Sequence, residues 1–249
     1  MIELVAPAKL TWFLEITGVR ENGYHELRSE MVTLEFADRL TGDPEGDYLR
    51  LAVESPGVPL DASNLVARAL SLVGRRAGVT LEKVIPTGGG LGGGSADAAA
   101  ILRWAGGVSA RDALALGGDV PFCQLGGRAM VEGVGERLTP LAFVRRDVTL
   151  MMPDFSVDTR QCYEAFDELV AGGARPSGRN HLERAAALVA PRLARTLAWL
   201  RAEYGAEVEL CGSGSTMFLE GHLDSGVNHW GVTGPEGTVR FRQTTTTPT

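Results

Sequence analysis

The chain has 249 residues, of which 44% are hydrophobic, and a formal net charge of −7. This length is sufficient for two modest domains or one large domain. The acidic balance and the lack of a basic stripe argue against nucleic-acid binding. An acidic protein can still bind anions where backbone amides and a few cations are focused locally.

The three cysteines are widely spaced, and the four histidines show no His-x-x-x-His pairing. This pattern predicts neither a disulfide framework nor a metal cluster. No segment approaches the roughly 20 apolar residues of a membrane span, and no signal peptide is recognisable after Met1. We therefore expect a cytoplasmic protein with no membrane partner. The sequence leaves monomer and homodimer open.

The predicted elements follow one another without an internal repeat. Strands are predicted at 2–36, 48–53, 79–85, 129–138, 148–153, 208–210 and 217–219. Helices are predicted at 65–77, 96–104, 160–170, 181–189 and 192–204. This order is typical of an α+β layout. The pattern restarts near Val148, which suggests one domain at 1–147 and another at 148–249, and the threonine-rich end at 243–249 is expected to fray.

The most informative segment extends from Pro86 to Asp97. Six of the seven residues at 88–94 are glycine, and an alanine-rich run that favours helix follows. Backbone without Cβ atoms can approach a ligand closely. A glycine loop that leads into a helix N-terminus directs free N–H groups and a positive dipole end at one point, which predicts a phosphate site.

Other interpretations of this loop fit less well. A flexible linker is not followed directly by a strong helix former, and a Walker A loop needs a lysine that is absent here. A Rossmann fingerprint is formally matched by Gly88, Gly90 and Gly93. That match is nearly automatic in so glycine-rich a run, and the preceding segment mixes apolar with charged residues instead of forming a buried parallel strand.

The loop resembles that of the GHMP kinases, and four further segments resemble the same family in the same order. These segments are Pro7-Ala8-Lys9 before a strand, Gly23-Tyr24-His25, Gly118-Asp119-Val120-Pro121, and Gly212-Ser213-Gly214-Ser215. The resemblance implies a two-domain fold with an N-terminal ribosomal-protein-S5-like ATP domain and a C-terminal ferredoxin-like substrate domain. The Tyr-His segment is similar to the branch that phosphorylates the C2 hydroxyl of a cytidine-diphosphate-linked methylerythritol.

The resemblance also implies roles for individual residues. Lys9 and Asp119 would be catalytic, with Asp119 as general base and Lys9 as the nearby cation, and ATP and Mg²⁺ would be the cofactors. No residue is assigned to Mg²⁺. The expected nucleotide contacts are Asn64, Pro86, Thr87, Gly88, Gly89, Gly90, Leu91, Gly92, Gly93, Gly94, Ser95 and Ala96.

The expected substrate contacts belong to several separate segments. They are Thr11, Tyr24, His25, Thr159, Arg179, Asn180, Gly212, Ser213 and Gly214. Tyr24 and His25 would hold the cytosine by stacking and hydrogen bonding. Thr11 stands where the family has asparagine, and Arg179 precedes Asn180 where an aromatic residue is common, so its guanidinium would stack on the base instead.

Three functions remain open from the sequence. The first is the cytidine-linked kinase activity. The second is another GHMP small-molecule kinase, which would not need the Tyr24-His25 pair. The third is a non-catalytic nucleotide-binding protein of the same fold, against which the presence of both Lys9 and Asp119 argues.

Overall fold

A computed structural model describes residues 1–248 of the chain. The eleven strands are β1 (Ile2–Val19), β2 (His25–Asp43), β3 (Leu49–Leu51), β4 (Gly78–Glu82), β5 (Arg128–Gly133), β6 (Arg137–Pro140), β7 (Asp147–Pro153), β8 (Glu209–Leu210), β9 (Met217–Glu220), β10 (His229–Gly234) and β11 (Gly237–Thr245). The seven helices are α1 (Leu65–Leu72), α2 (Gly93–Trp104), α3 (Ala110–Leu114), α4 (Val120–Leu125), α5 (Thr159–Ala171), α6 (Glu183–Val189) and α7 (Pro191–Tyr204). The prediction of an α+β fold is confirmed.

The strands form two sheets from separate halves of the chain. In the first sheet the order is β3-β4-β2-β5-β6, and the long β2 also pairs with β1. Only β3 and β4 are parallel. The second sheet has the order β10-β11-β7-β9-β8 and is antiparallel throughout. The chain passes from one sheet to the other between Pro140 and Asp147.

The alternation along β1 determines how the two halves pack. Leu10 and Trp12 lie in the core between the two sheets, together with Leu150 and Phe218 of the second sheet. Further along the strand, Leu14 packs against α5 and α6. One strand therefore places the intervening residues 9 and 11 beside groups from both halves.

The first predicted helix is shorter in the structure. The helix expected at 65–77 ends at Leu72, because Gly74 adopts a left-handed φ of +63° just beyond it. The amides of Gly74 and Arg75 return to the carbonyls of Ser71 and Leu70, which is the Schellman arrangement that stops a helix.

The expected fraying of the C-terminal tail is wrong for its described part. Strand β11 continues to Thr245, opposite Asp147, and the Thr246 amide donates to the carbonyl of Arg146 at 3.0 Å. β-Branched threonines suit a half-buried strand. Thr249 lies outside the described residues.

Candidate active site

Lys9 and Asp119 form an ion pair at the centre of the molecule. Lys9 lies on β1, and Asp119 immediately precedes α4, whose first turn contains Pro121. The Lys9 Nζ is 3.3 Å from Asp119 Oδ2. The Lys9 side chain is 6% exposed and that of Asp119 is 32% exposed, so the carboxylate is the member of the pair that a substrate can reach.

The surroundings keep Lys9 charged. Burial is the largest influence and opposes the charged form, but the charge of Asp119 and smaller contributions from Cys211 and Cys123 together raise the pKa of Lys9 above its ordinary value. The ammonium also donates to Thr11 Oγ1 at 3.0 Å. Since a raised lysine pKa means loss of the proton only at strongly alkaline pH, Lys9 remains a cation throughout the neutral range.

The glycine loop lies against this pair and is held by three contacts from other segments. The Lys9 amide donates to the Leu91 carbonyl at 3.0 Å, and the Thr216 amide donates to the Gly89 carbonyl at 3.1 Å. The Cys211 thiol donates to the Gly90 carbonyl at 3.4 Å. All three contacts use carbonyls, so the loop amides are left available.

Left-handed backbone makes this path possible. The φ angles of Gly88, Gly90 and Gly92 are +69°, +78° and +68°. At Gly92 an added Cβ would come within 2.8 Å of Lys9 Cγ. Glycine is therefore required here both for backbone conformation and for close approach to Lys9.

The loop lines a cleft of about 320 Å³ that opens toward α1. The amides of Gly88, Gly89, Gly90 and Gly92 have no hydrogen-bond partner within residues 1–248. These glycines line the cleft together with the first turn of α2, whose N–H groups are also unpaired. Donors in this arrangement are suited to a polyphosphate.

Most of the predicted nucleotide contacts line this cleft. These residues are Asn64, Pro86, Thr87, Gly88, Gly89, Gly90, Gly92, Gly93, Gly94 and Ser95. Leu91 and Ala96 do not; their side chains are buried in hydrophobic cores. Asn64 caps α1 by accepting from the Val66 amide at 2.8 Å, and it donates to the Pro59 carbonyl.

The Gly212–Ser215 loop approaches the pair from the second half of the chain. A Cβ at Gly212 would lie 3.7 Å from Thr11 Oγ1 and 3.8 Å from Lys9 Nζ. Ser213 Oγ is hydrogen-bonded to Thr159 Oγ1 at 2.8 Å, which joins this loop to the start of α5. Gly212, Ser213, Thr159 and Thr11 are thus brought together beside the ion pair.

Asn180 is buried and positions that loop. Its Nδ2 donates to the carbonyls of Leu210 at 2.8 Å and Gly212 at 2.7 Å, and its Oδ1 accepts from the Leu182 amide at 3.0 Å. The side chain was expected to contact substrate directly. In the structure its donors are used by the protein, so its contribution is to the shape of the site.

We expect Asn180→Ala to lower the free energy of unfolding by about 2–3 kcal/mol, because two buried carbonyls would lose their donor. Thermal or urea unfolding measures this effect. The matched control is Asn228→Ala, in the exposed segment before β10, which should change stability by less than about 0.5 kcal/mol. Equal stability of the two variants would contradict the positioning role.

Tyr24 and His25 follow the turn between β1 and β2, but their environments differ. The Tyr24 ring is exposed (64%), whereas the His25 ring packs against α5. His25 Nε2 is 2.7 Å from Asp167 Oδ1, and its ring lies 4.6 Å from that of Tyr163 at an interplanar angle of 32°. The hairpin is therefore joined to the second half of the chain.

Tyr163 lies beside these residues, although it was not among the predicted substrate contacts. Burial, and then the charge of Asp119, raise the pKa of its hydroxyl to about 12. The hydroxyl is thus close enough to Asp119 for the carboxylate charge to influence it, while the ring contacts His25. Tyr163 therefore connects the His25 hairpin with the surroundings of Asp119. The signal available in the sequence was its helical spacing from Thr159 on α5.

Arg179 lies in a different place from the one expected. Its Nε donates to the Trp12 carbonyl at 2.6 Å, and its guanidinium lies over the rings of Trp12 at 4.8 Å and Phe218 at 5.5 Å. These contacts occupy the face that would have stacked on a base. The aromatic ring that faces His25 belongs to Tyr163 instead.

The chain is similar to known kinases over most of its length. Residues 62–127 match the GHMP kinases N terminal domain. A 4-diphosphocytidyl-2-C-methyl-D-erythritol kinase of Azoarcus sp. (strain BH72) is 37% identical over 238 residues, which cover 86% of this chain and 83% of that protein. The chain belongs to the 4-diphosphocytidyl-2-C-methyl-D-erythritol kinase family.

Two further similarities support membership of this kinase family. The enzyme of the same name from Paracoccus denitrificans (strain Pd 1222) is 38% identical, with 86% of this chain and 84% of that protein covered. A crystal structure of 4-(cytidine 5'-diphospho)-2C-methyl-D-erythritol kinase has a TM-score of 0.69 and 35% identity, and covers 87% of this chain and 89% of that one. Within residues 1–248 no helix has the length and apolar character needed to cross a membrane.

Proposed function

We propose that the protein transfers the γ-phosphoryl group of ATP to the C2 hydroxyl of 4-diphosphocytidyl-2-C-methyl-D-erythritol, with ADP and the 2-phosphate as products. The observation that carries this proposal is the Lys9–Asp119 pair, 3.3 Å apart, beside a glycine loop with free amides. The names of the relatives supply the substrate. We propose that the domain at 1–147 binds ATP and that the domain at 148–249 completes the substrate site.

The chemistry requires little more than positioning and charge. Asp119 Oδ accepts the proton of the attacking hydroxyl as it approaches the phosphorus atom. Lys9 holds that carboxylate in place and offsets negative charge on the transferring group. Phosphoryl transfer depends mainly on such electrostatic stabilisation, so two charged side chains and an amide-lined loop are sufficient.

The cleft supplies the nucleotide contacts. The unpaired amides of the loop and of the first turn of α2 hold the phosphates, and Asn64 with the segment before α1 lines the far end. Mg²⁺ accompanies ATP and neutralises phosphate charge when bound. No group of three acidic, histidine or cysteine side chains within residues 1–248 could hold the ion alone, so phosphate oxygens and water would supply most of its ligands.

The cytidine end of the substrate fits the surface formed by Tyr24, His25 and Tyr163. The exposed phenol ring of Tyr24 offers a flat face for stacking, whereas the His25 ring is held against Tyr163 and by Asp167 and would support the base from one side. The Gly212–Ser215 loop lies beside the ion pair and is bonded to the start of α5, where it would contact the substrate diphosphate. The methylerythritol hydroxyl then reaches Asp119.

ADP release by the purified protein tests the proposal. We expect turnover with ATP, Mg²⁺ and the cytidine-linked substrate, and at least 100-fold lower kcat/KM with mevalonate or homoserine, because neither fills the Tyr24–Tyr163 surface. Activity on one of these alcohols but not on the cytidine-linked substrate would assign the protein to another small-molecule kinase activity. ATP binding without turnover of any alcohol would indicate a non-catalytic protein.

A further inference from the structure

Three ionisable side chains from separate elements meet beneath the phosphate loop. Asp38 lies on β2, Lys83 directly follows β4, and Asp97 lies on α2. The Lys83 ammonium donates to one carboxylate oxygen of each aspartate. All three side chains are no more than 5% exposed, so the cluster is a buried network and not a surface ion pair.

The two carboxylates are satisfied unequally. Asp38 Oδ1 accepts from the amides of Val84 at 2.6 Å and Ile85 at 2.9 Å, which fixes the chain as it enters the glycine loop. Asp97 Oδ1 is buried and has no hydrogen-bond partner. When both carboxylates are ionised, one ammonium faces two negative charges, and the cluster carries a net charge of −1. We assign the excess charge to Asp97, because one of its oxygens has no hydrogen-bond partner.

The cluster adjoins the nucleotide cleft. Both Lys83 and Asp97 are among the residues that line it. A Cβ added at Gly93, the first residue of α2, would lie 3.3 Å from Lys83 Nζ. The ammonium is therefore next to the helix start at which the phosphates of ATP are expected, and the excess negative charge of Asp97 lies behind it.

We propose that Asp97 is a positioning residue of the nucleotide site, which holds Lys83 at the start of α2 and takes up one proton from solvent as ATP binds. The inference rests on the proposed function, in that the cleft must bind ATP. An arriving polyphosphate adds negative charge beside a cluster that already has an excess of it. Protonation of Asp97 removes this excess and leaves Lys83 free to attract the phosphates.

The surroundings of Asp97 shift the pKa of its carboxyl group into the neutral pH range. Burial raises the pKa of Asp97 to about 7, although Lys83 opposes the shift, and the charge of Asp38 adds to it. Cys123 of α4 also interacts with Asp97, but burial raises the pKa of that thiol so far that it stays neutral. Bound ATP should raise the pKa of Asp97 further, and by reciprocity protonation should tighten ATP binding.

Calorimetric titration of the protein with ATP and Mg²⁺ at pH 7.5, in buffers of different ionisation enthalpy, measures the proton uptake directly. A rise of about one pKa unit on binding corresponds to uptake of about half a proton at this pH. The affinity of the wild-type protein for ATP should then fall by about fivefold between pH 7 and 9. Asp97→Asn should show little uptake and a flat profile, whereas Asp47→Asn, on an exposed side chain, should behave as wild type.

The outcomes separate the inference from the proposed function. ATP binding by the wild-type protein without proton uptake overturns the inference alone, whether or not the variant folds. Equal uptake by wild type and Asp97→Asn also overturns it. If the wild-type protein does not bind ATP, that result contradicts both the proposed function and the inference.

Unfolding provides a second readout that does not depend on ATP. Because the pKa of Asp97 is higher in the folded protein than in the unfolded chain, ionisation disfavours the fold. The wild-type protein should therefore lose stability relative to Asp97→Asn as the pH rises from about 4 to about 7, and the difference should remain constant above that range. A difference in melting temperature that does not change with pH would contradict the assigned titration.

Discussion

Asp119→Asn is expected to lower kcat by about 10³-fold while leaving the affinity for ATP within a few-fold of wild type. An amide cannot accept the hydroxyl proton, and general-base catalysis contributes roughly 10²–10⁴-fold. The substitution is nearly isosteric, and Asp119 is partly exposed, so the fold should persist. Steady-state ADP release and calorimetric ATP binding measure the two quantities separately.

The matched control for this variant is Asp47→Asn, whose carboxylate is exposed and 3.9 Å from its arginine partner. It should retain wild-type kcat. If Asp119→Asn kept more than a tenth of wild-type kcat, Asp119 would not be the base, and the ion pair with Lys9 would have only a structural role.

Gly90→Ala is expected to lower kcat/KM for ATP by about 100-fold or more. The φ of Gly90 is +78°, and an added Cβ would lie 2.6 Å from the Cys211 carbonyl oxygen and 2.9 Å from that of Gly214. Both obstacles are backbone atoms, which cannot rotate away. The loop must move instead, and a displacement of about 1 Å in a positioning element can cost about 10²-fold in rate.

Gly94→Ala provides a comparison within the same loop. Its Cβ would meet only Leu65 Cδ1, at 3.5 Å, and its φ lies outside the left-handed region. As Gly94 lies in the first turn of α2, alanine should leave activity within about fivefold of wild type and stabilise the helix slightly. Similar kinetics for the two variants would mean that the loop conformation in the structure is not the one that binds ATP.

The backbone conformation of the glycine loop was predictable because it depends directly on the residue types in the loop. Left-handed glycines and a following alanine-rich helix need no tertiary information to be recognised. The end of α1 was predicted wrongly, at Ala77 instead of Leu72, although Gly74 marks it by the same kind of local signal. Local conformational rules thus explain the loop and the helix end, because both depend on glycines with left-handed backbone.

Contacts between distant segments could not be obtained from the sequence in this way. The packing of the Arg179 guanidinium over Trp12 depends on how the segment before α6 crosses β1. The position of Tyr163 beside His25 depends on the docking of α5 against the first hairpin. The local pattern of Arg179 does not distinguish it from an ordinary loop residue, and the helical spacing of Tyr163 from Thr159 does not by itself specify His25 as its partner.

The buried Asp38–Lys83–Asp97 cluster could not be predicted from the sequence either. The three residues are separated by 45 and 14 positions, and each alone is typical of a solvated surface. Only the crossing of β2, β4 and α2 removes them from water and leaves one oxygen without a partner. A buried charge imbalance of this kind is a property of the assembled fold.

The most direct test of the central claim is to identify the reaction product by mass spectrometry and ³¹P nuclear magnetic resonance. After incubation with ATP, Mg²⁺ and 4-diphosphocytidyl-2-C-methyl-D-erythritol, we predict one new phosphomonoester on the C2 oxygen, an unchanged diphosphate bridge and one ADP per product. Release of inorganic phosphate without a phosphorylated alcohol, or a phosphate on a different hydroxyl, would contradict the proposed function.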